Sequence, residues 1–284
     1  MRNLKILIFA LGFMLVWTLT PAFGLEINTS ADYFLDYDPP VSGNDADTGS
    51  SGTVSSSVSN GSFDVAASAS GDDTGQIAAS ASYLLASGGD AHSATATVAW
   101  SETYTVGSAG NYSWDFNITD GKLTLWDWCS GPEMTASYAI SILVDGSSVW
   151  DSAFVFSGGM AGTTTTQSGT DLGGTYFADD PNYPNEMGYD FSSYSDSLDL
   201  GYMDAGDSFD LAYTLTVYVG GPGYETGAQA YFGDPNDLTG GGGMDGELTG
   251  GGQQPVPEPA TLVLLGSGLT GLAALRRKKK RMAA

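Results

Sequence analysis

The chain has 284 residues and a formal net charge of −24, with 33 Asp and Glu against 9 Lys and Arg; it holds 40 Gly, one Cys and one His. Only one basic residue, Lys122, lies between Leu25 and Pro259, so that whole stretch is strongly anionic, a field that repels phosphate backbones and excludes nucleic acid as a partner. A lone Cys closes no internal disulfide, and a lone Cys and His supply no ligand set for a structural zinc site.

Taken in chain order, Arg2 and Lys5 precede an apolar run from Ile6 to Leu19, and Ala22-Phe23-Gly24 is a small-x-small site. This is the layout of a secretory signal peptide over residues 1–24, cut by signal peptidase between Gly24 and Leu25. An uncleaved N-terminal anchor is the alternative, and Pro21 with the small residues around it argues for processing.

Residues 25–239 read as strands. Ser42 to Ser70 holds twelve Ser or Thr with small Ala and Val between them, the pattern of weak polar strands or of a flexible, O-glycosylated stretch, and weak strands are favoured. Ala94, Ala96, Val98, Trp100, Tyr104 and Val106 alternate with Thr95, Thr97, Ser101, Thr103 and Thr105, a period of two with one apolar face and one hydroxylated face. Tyr112, Trp114, Phe116 and Ile118 continue the alternation, and Asp120-Gly121 is expected to turn a hairpin into Lys122 to Trp128. Tyr138, Ile140, Ile142 and Val144 repeat it, with Asp145-Gly146 turning into Val149 to Phe156. The run from Ala178 to Ser197, with Asp179-Asp180-Pro181-Asn182 and Pro184-Asn185, is turn-rich and is expected to be a long loop. Phe209 to Val219 alternates once more, and Ala228 to Phe232 reads as a short closing strand. No segment between Leu25 and Gln254 has a helical period, so the expected fold class is all-β: a single antiparallel β-sandwich, jelly-roll-like.

Residues 240–254, with Gly240 to Gly243 and Gly250 to Gly252, read as a flexible linker. Val256-Pro257-Glu258-Pro259 follows, where two prolines remove backbone donors and hold Val256 and Glu258 extended, as suits recognition by another protein. Ala260 to Leu275 carries no charge, and as a helix this stretch of about 260–275 would span roughly 24 Å, slightly short of a bilayer core of roughly 30 Å. Arg276, Arg277, Lys278, Lys279, Lys280 and Arg281 then form a stop-transfer basic cluster that stays on the cytoplasmic side while the body lies outside.

The motif Val256-Pro-Glu-Pro, the Gly-Leu pattern of the span and the terminal Arg-Arg resemble the PEP-CTERM sorting signal of Gram-negative bacteria, over residues 255–281. The resemblance implies export by the general secretory route, transient anchoring in the inner membrane, and processing by an exosortase, an integral-membrane cysteine protease. It also implies delivery to the cell surface and an exopolysaccharide matrix. The same tail carries the name ice-binding protein C-terminal domain, which is no evidence for binding ice.

The body offers little catalytic chemistry to the eye. His92, in Asp90-Ala91-His92-Ser93, reads as a loop or edge residue, and Cys129 as a small buried hydrophobe. Aspartates cluster at Asp32, Asp36 and Asp38, at Asp45 and Asp47, at Asp72 and Asp73, and from Asp196 and Asp199 through Asp204, Asp207 and Asp210; such loop oxygens suit Ca²⁺, although no defined Ca²⁺ loop spacing is present and aspartate is also a turn former. Trp126 and Trp128 share a face with Lys122, opposite Leu123 and Leu125; they could stack on sugar rings, but the core is the favoured place for them. A glycosidase needs a carboxylate pair at a set separation, for which so acidic a sequence gives no specific support. The expectation is a non-enzymatic body of structural or adhesive role, with no catalytic residue, metal or cofactor assigned. A calcium-dependent or aromatic-mediated carbohydrate-binding module is the alternative, and a carbohydrate-active enzyme the third reading.

Overall fold

A computed structural model describes residues 24–35, 41–49, 52–60, 63–72, 75–85, 89–127, 134–159, 162–179, 185–223, 226–233 and 243–251. The signal segment before Gly24, the motif Val256 to Pro259, the apolar span, the basic cluster Arg276 to Arg281, Trp128 and Cys129 lie outside these residues. Among the described residues there is no helix, and none therefore that could cross a membrane.

Among the described residues seventeen strands form two antiparallel sheets packed face to face. The first sheet is built from β1 (Gly24–Leu35), β2 (Val41–Gly49), β6 (Gly89–Thr105), β9 (Met134–Val144), β10 (Ser147–Gly159), β11 (Gly162–Gly169) and β15 (Ser208–Gly223), in the order β11-β10-β9-β15-β6-β1-β2. The second holds β3 (Gly52–Asn60), β4 (Phe63–Gly71), β5 (Ile77–Leu85), β7 (Gly110–Ile118), β8 (Gly121–Asp127), β12 (Thr175–Ala178), β13 (Glu186–Phe191), β14 (Tyr194–Met203), β16 (Thr226–Phe232) and β17 (Met244–Gly250). Its larger part runs β12-β13-β8-β16-β5-β4-β3, and a three-stranded ribbon, β14-β7-β17, joins it where Met244 pairs with Ile77.

The alternation read from the sequence decides which face is buried. Ala94, Ala96, Val98 and Trp100 of β6 and Leu211, Tyr213, Leu215, Val217 and Val219 of β15 point inward from the first sheet. They meet Val65, Ala67 and Ala69 of β4, Ala79, Ala81 and Tyr83 of β5, and Leu123 and Leu125 of β8. Alanines on both sides let the layers close tightly there, while aromatic rings fill the rest. Trp100 stacks on Tyr213 at 4.9 Å between centroids, and Trp114 lies 6.4 Å from both. Tyr138 meets Phe232 edge-on at 4.7 Å and Phe191 at 5.1 Å. The hydroxylated face also behaves as the pattern implies: cross-strand pairs Thr97 with Thr216 and Thr105 with Ser208 are 3.1 and 2.8 Å apart between oxygens.

Burial of tyrosines gives the core an alkaline limit. Desolvation pushes Tyr138 up to about 12, against a hydrogen bond with Ser152 that works the other way, and desolvation alone pushes Tyr218 up to about 12. Tyr213 is raised well above its ordinary value, chiefly for the same reason. The unfolded chain releases these protons near pH 10 while the folded chain keeps them, so the stability they contribute is complete below pH 10 and is lost as pH rises toward 12. Thermal unfolding followed between pH 9 and 12 should show a falling midpoint that tracks tyrosinate absorbance of the unfolded state. A flat midpoint would contradict it.

Several expectations are corrected. The supposed loop from Ala178 to Ser197 contains β13 and the first four residues of β14, and Met187 and Phe191 are buried. Asp179 accepts from the amides of Asn185 and Glu186 at the entry to β13, while residues 180–184 lie outside the described residues. Asp120-Gly121 makes no hairpin: β7 and β8 lie apart in the same sheet with β16, β5 and β17 between them. Gly121 serves packing, because a Cβ there would strike the Phe232 ring. By contrast Asp145 and Gly146, at φ of 50° and 74°, do form the tight turn between β9 and β10. Ala228 to Phe232 is not a closing strand but an interior one, between β8 and β5. His92 is neither loop nor edge; it is 3 % exposed near the start of β6, an interior strand, opposite Tyr33 and Gly221. Trp126 lies half-buried on the outer face, and its neighbours Leu123 and Leu125 take the core.

The largest correction falls on the glycine-rich linker. Residues 244–250 are β17, paired along seven residues with β7, and Met244 is fully buried. The body therefore runs to Gly251. Its glycines are close-packing positions: a Cβ on Gly246 would come within 2.5 Å of the Trp114 ring, and Gly250 adopts a φ of +103° against the Asn111 carbonyl.

Candidate functional site

The ribbon β14-β7-β17 carries the most organised polar surface among the described residues. Tyr112, Trp114, Phe116 and Ile118 of β7 face the core, so Ser113, Asp115 and Asn117 face out. The register then sets Ser197 and Glu247 beside Asp115, and Ser195 and Asp245 beside Asn117. An open cleft of about 910 Å³ lies over these residues and reaches Gln76.

Two hydrogen-bonded rows cross the three strands. In one, Ser195 Oγ donates to Asn117 Oδ1 at 2.7 Å and Asn117 Nδ2 donates to Asp245 Oδ1 at 3.0 Å. In the other, Ser197 Oγ donates to one Asp115 carboxylate oxygen and Thr249 Oγ1 to the other at 3.1 Å. Each donor fixes the orientation of the carboxylate or amide it touches, so the platform presents aligned acceptors with lone pairs to spare. Such a surface suits ligands rich in hydroxyl donors. It has no cation to hold an anion: Lys122 lies 3.6 Å from Glu186 and 4.4 Å from the centre of the Phe177 ring, on the β8–β13 side of the sheet.

The aspartates singled out from sequence scatter over this framework. Asp196 and Asp199 lie on β14, where Asp196 accepts from the Tyr194 hydroxyl at 2.8 Å and Asp199 from the Gly201 amide at 2.9 Å. Asp207 accepts from the Asp204 amide, and Asp210 accepts from Thr103 at 2.7 Å. Asp72 accepts from the Gln76 amide at 3.1 Å and shapes the bend before β5. Asp32, Asp45 and Asp47 fall on β1 and β2, while Asp36, Asp38 and Asp73 lie outside the described residues. Among the described residues no group of three or more His, Cys, Asp or Glu is placed to hold a metal ion. Asp115, Asn117 and Asp245 escape a reading of the sequence, because they stand far apart in the chain and each reads as an ordinary outward residue of its strand. The period-two pattern of β7 is the only signal that points to Asp115 and Asn117.

Of the residues expected at signal cleavage, Ala22 lies outside the described residues, while Gly24 and Leu25 open β1, paired with Ser101 and Trp100. At the other end the described body stops at Gly251, just short of Pro255. No curated protein matches the chain. Residues 255–278 match the model of the PEP-CTERM protein-sorting motif. The chain thus carries a PEP-CTERM sorting signal directly behind the last strand of its body, the mark of an exported protein that an exosortase sorts.

Proposed function

We propose that this protein is delivered to the cell surface or extracellular matrix, where its β-sandwich serves a non-catalytic, structural or adhesive role. The observation that carries the reading is the sorting motif at residues 255–278, set only a few residues behind β17. Signal peptidase would act at Gly24–Leu25, where β1 begins, and the segment 260–275 with the basic cluster Arg276 to Arg281 would hold the chain in the inner membrane until an exosortase acts. The non-catalytic reading is supported by the position of His92, which the fold buries inside β6. Deleting residues 256–281 leaves every described strand intact and is expected to reduce surface-associated protein to background, measured by immunoblot of surface, membrane and medium fractions. Unchanged surface retention would contradict the reading.

The cleft over β14-β7-β17 favours an adhesive variant, in which the ligand is a neutral polysaccharide of the exopolysaccharide matrix. Carboxylate and amide acceptors held in rows suit sugar hydroxyls, and the anionic body disfavours acidic polymers unless Ca²⁺ bridges them. A glycan array probed with and without Ca²⁺ should give metal-independent binding to uncharged glycans. Asp115→Ala should weaken that binding by about tenfold or more, as expected for losing a hydrogen bond to a charged group worth about 1.5–3 kcal/mol. Binding confined to acidic glycans with Ca²⁺ would favour calcium as the bridge, and turnover of any glycan would favour a carbohydrate-active enzyme.

A further inference from the structure

Among the described residues the sheets end at six outer strands, and five of these are protected against pairing with another chain. β2 and β3 follow each other in sequence and lie against one another, which closes that side of the body. β14 carries Asp196 and Asp199 and a shift in register at Asp199–Gly201, β17 carries Asp245 and Glu247, and β12 has only four residues. The exception is β11. Its eight residues, Gly-Thr-Thr-Thr-Thr-Gln-Ser-Gly, are all exposed, and their register with β10 is unbroken from Gly159↔Gly162 to Ser152↔Gly169. Among the described residues β10 is its only strand partner. No ionisable residue and no proline occurs from Ser152 to Thr170, in a chain with 33 acidic residues. The Gln167 side chain is turned back onto the carbonyls of Ser168 and Thr170, away from Thr163 to Thr166.

We infer that β11 pairs antiparallel with β11 of a second copy about a two-fold axis, so that two seven-stranded sheets become one. The occupant follows from charge. Two bodies this anionic repel wherever acidic surfaces meet, and β11 with the adjoining part of β10 is a long strand edge on which they can approach without opposing carboxylates. The sequence is also self-complementary. A two-fold through Thr164 sets Thr164 against Thr164 of the second copy and Thr163 against Thr165, pairs of β-branched hydroxyl residues that stabilise antiparallel neighbours. Free N–H and C=O groups along the edge supply the ladder. Because the opposing force is long-range repulsion between the bodies, the pairing tightens as salt screens it. The inference rests on the edge itself and is independent of the sorting motif.

The test is sedimentation of the full chain in detergent in large excess over protein, at rising protein concentration and at two salt concentrations, with hydrogen exchange of the β11 amides on the same samples. A concentration-dependent dimer that strengthens with salt and slows exchange at residues 163–166 is the expected result. The double variant Thr164→Asp with Thr165→Asp places like charges opposite each other and should weaken association about tenfold or more, with the thermal midpoint unchanged because both side chains are exposed. A chain that stays monomeric at every concentration overturns the inference. So does a dimer that leaves β11 exchange unaltered or persists equally in the double variant. Should the double variant misfold, exchange at residues 163–166 in the unaltered chain still decides.

Discussion

A chain that ends at Gly243 is expected to lose its cooperative thermal transition, whereas one that ends at Gly251 keeps it. The eight residues between them look like spacer in the sequence, yet β17 pairs with all of the inner edge of β7 from Tyr112 to Ile118. Removing β17 uncovers fully buried Met244, worth roughly 1.5–3 kcal/mol, and a ladder of backbone hydrogen bonds worth about 1 kcal/mol each. Against a total stability of roughly 5–15 kcal/mol for a typical domain, that loss is large enough to unfold the ribbon and the aromatic cluster beneath it. Near-ultraviolet circular dichroism on the two chains, both lacking residues 1–24, measures the difference. Equal midpoints would show that β17 contributes nothing. The same result bears on processing: a cut before Gly251 would destroy the body, and a cut at the Pro-Glu-Pro motif leaves it whole. From Gly251 to Pro257 an extended chain reaches at most about 20 Å, so the folded body stands close to the membrane when the motif is read.

Trp114→Ala should cost about 3–5 kcal/mol, the range for deleting a fully buried aromatic side chain. Trp114 is 1 % exposed, packs against Trp100, Tyr104 and Tyr213, and is covered by the backbone of Gly246. Its indole nitrogen has no hydrogen-bond partner, so Trp114→Phe loses volume alone and should be milder. Trp126→Ala, on the half-buried outer face, should cost no more than about 1 kcal/mol. Chemical denaturation of the three variants gives the comparison. A Trp126→Ala loss equal to that of Trp114→Ala would show that the outward placement of Trp126 is wrong. Gly246→Val tests the same contact from the other side, since its new side chain must displace the Trp114 ring.

Strands that carry a full alternation over many residues are legible in the amino-acid sequence. Over most of β6, β7, β9 and β15 every other residue is apolar, and burial of one face of a two-layer protein demands just that period. The tight turn at Asp145-Gly146 is legible as well, because only residues tolerant of positive φ fit it. Illegible are the strands whose sides are not simply in and out. β17 hides because its glycines are required by the closeness of Trp114 and Asn111, contacts that lie over a hundred residues away in the chain. β13 hides because two buried apolar side chains, Met187 and Phe191, are too few to make a pattern among so many turn formers. The platform at Asp115, Asn117 and Asp245 hides because its members come from separate strands, joined only by cross-strand register.

By itself the sequence determined the all-β class, the anionic character of the body and the sorting signal, since composition, period and a contiguous motif are local properties of a chain. Tertiary structure alone decided which strands are neighbours: that β7 and β8 part company, that β17 enters the sheet, that His92 is interior and that β11 is left at an open edge. The physical reason is that side-chain alternation fixes the two faces of a strand but not its two edges. Edge pairing is settled by backbone hydrogen bonds and by how closely one strand can approach another, and those depend on residues distant in the chain.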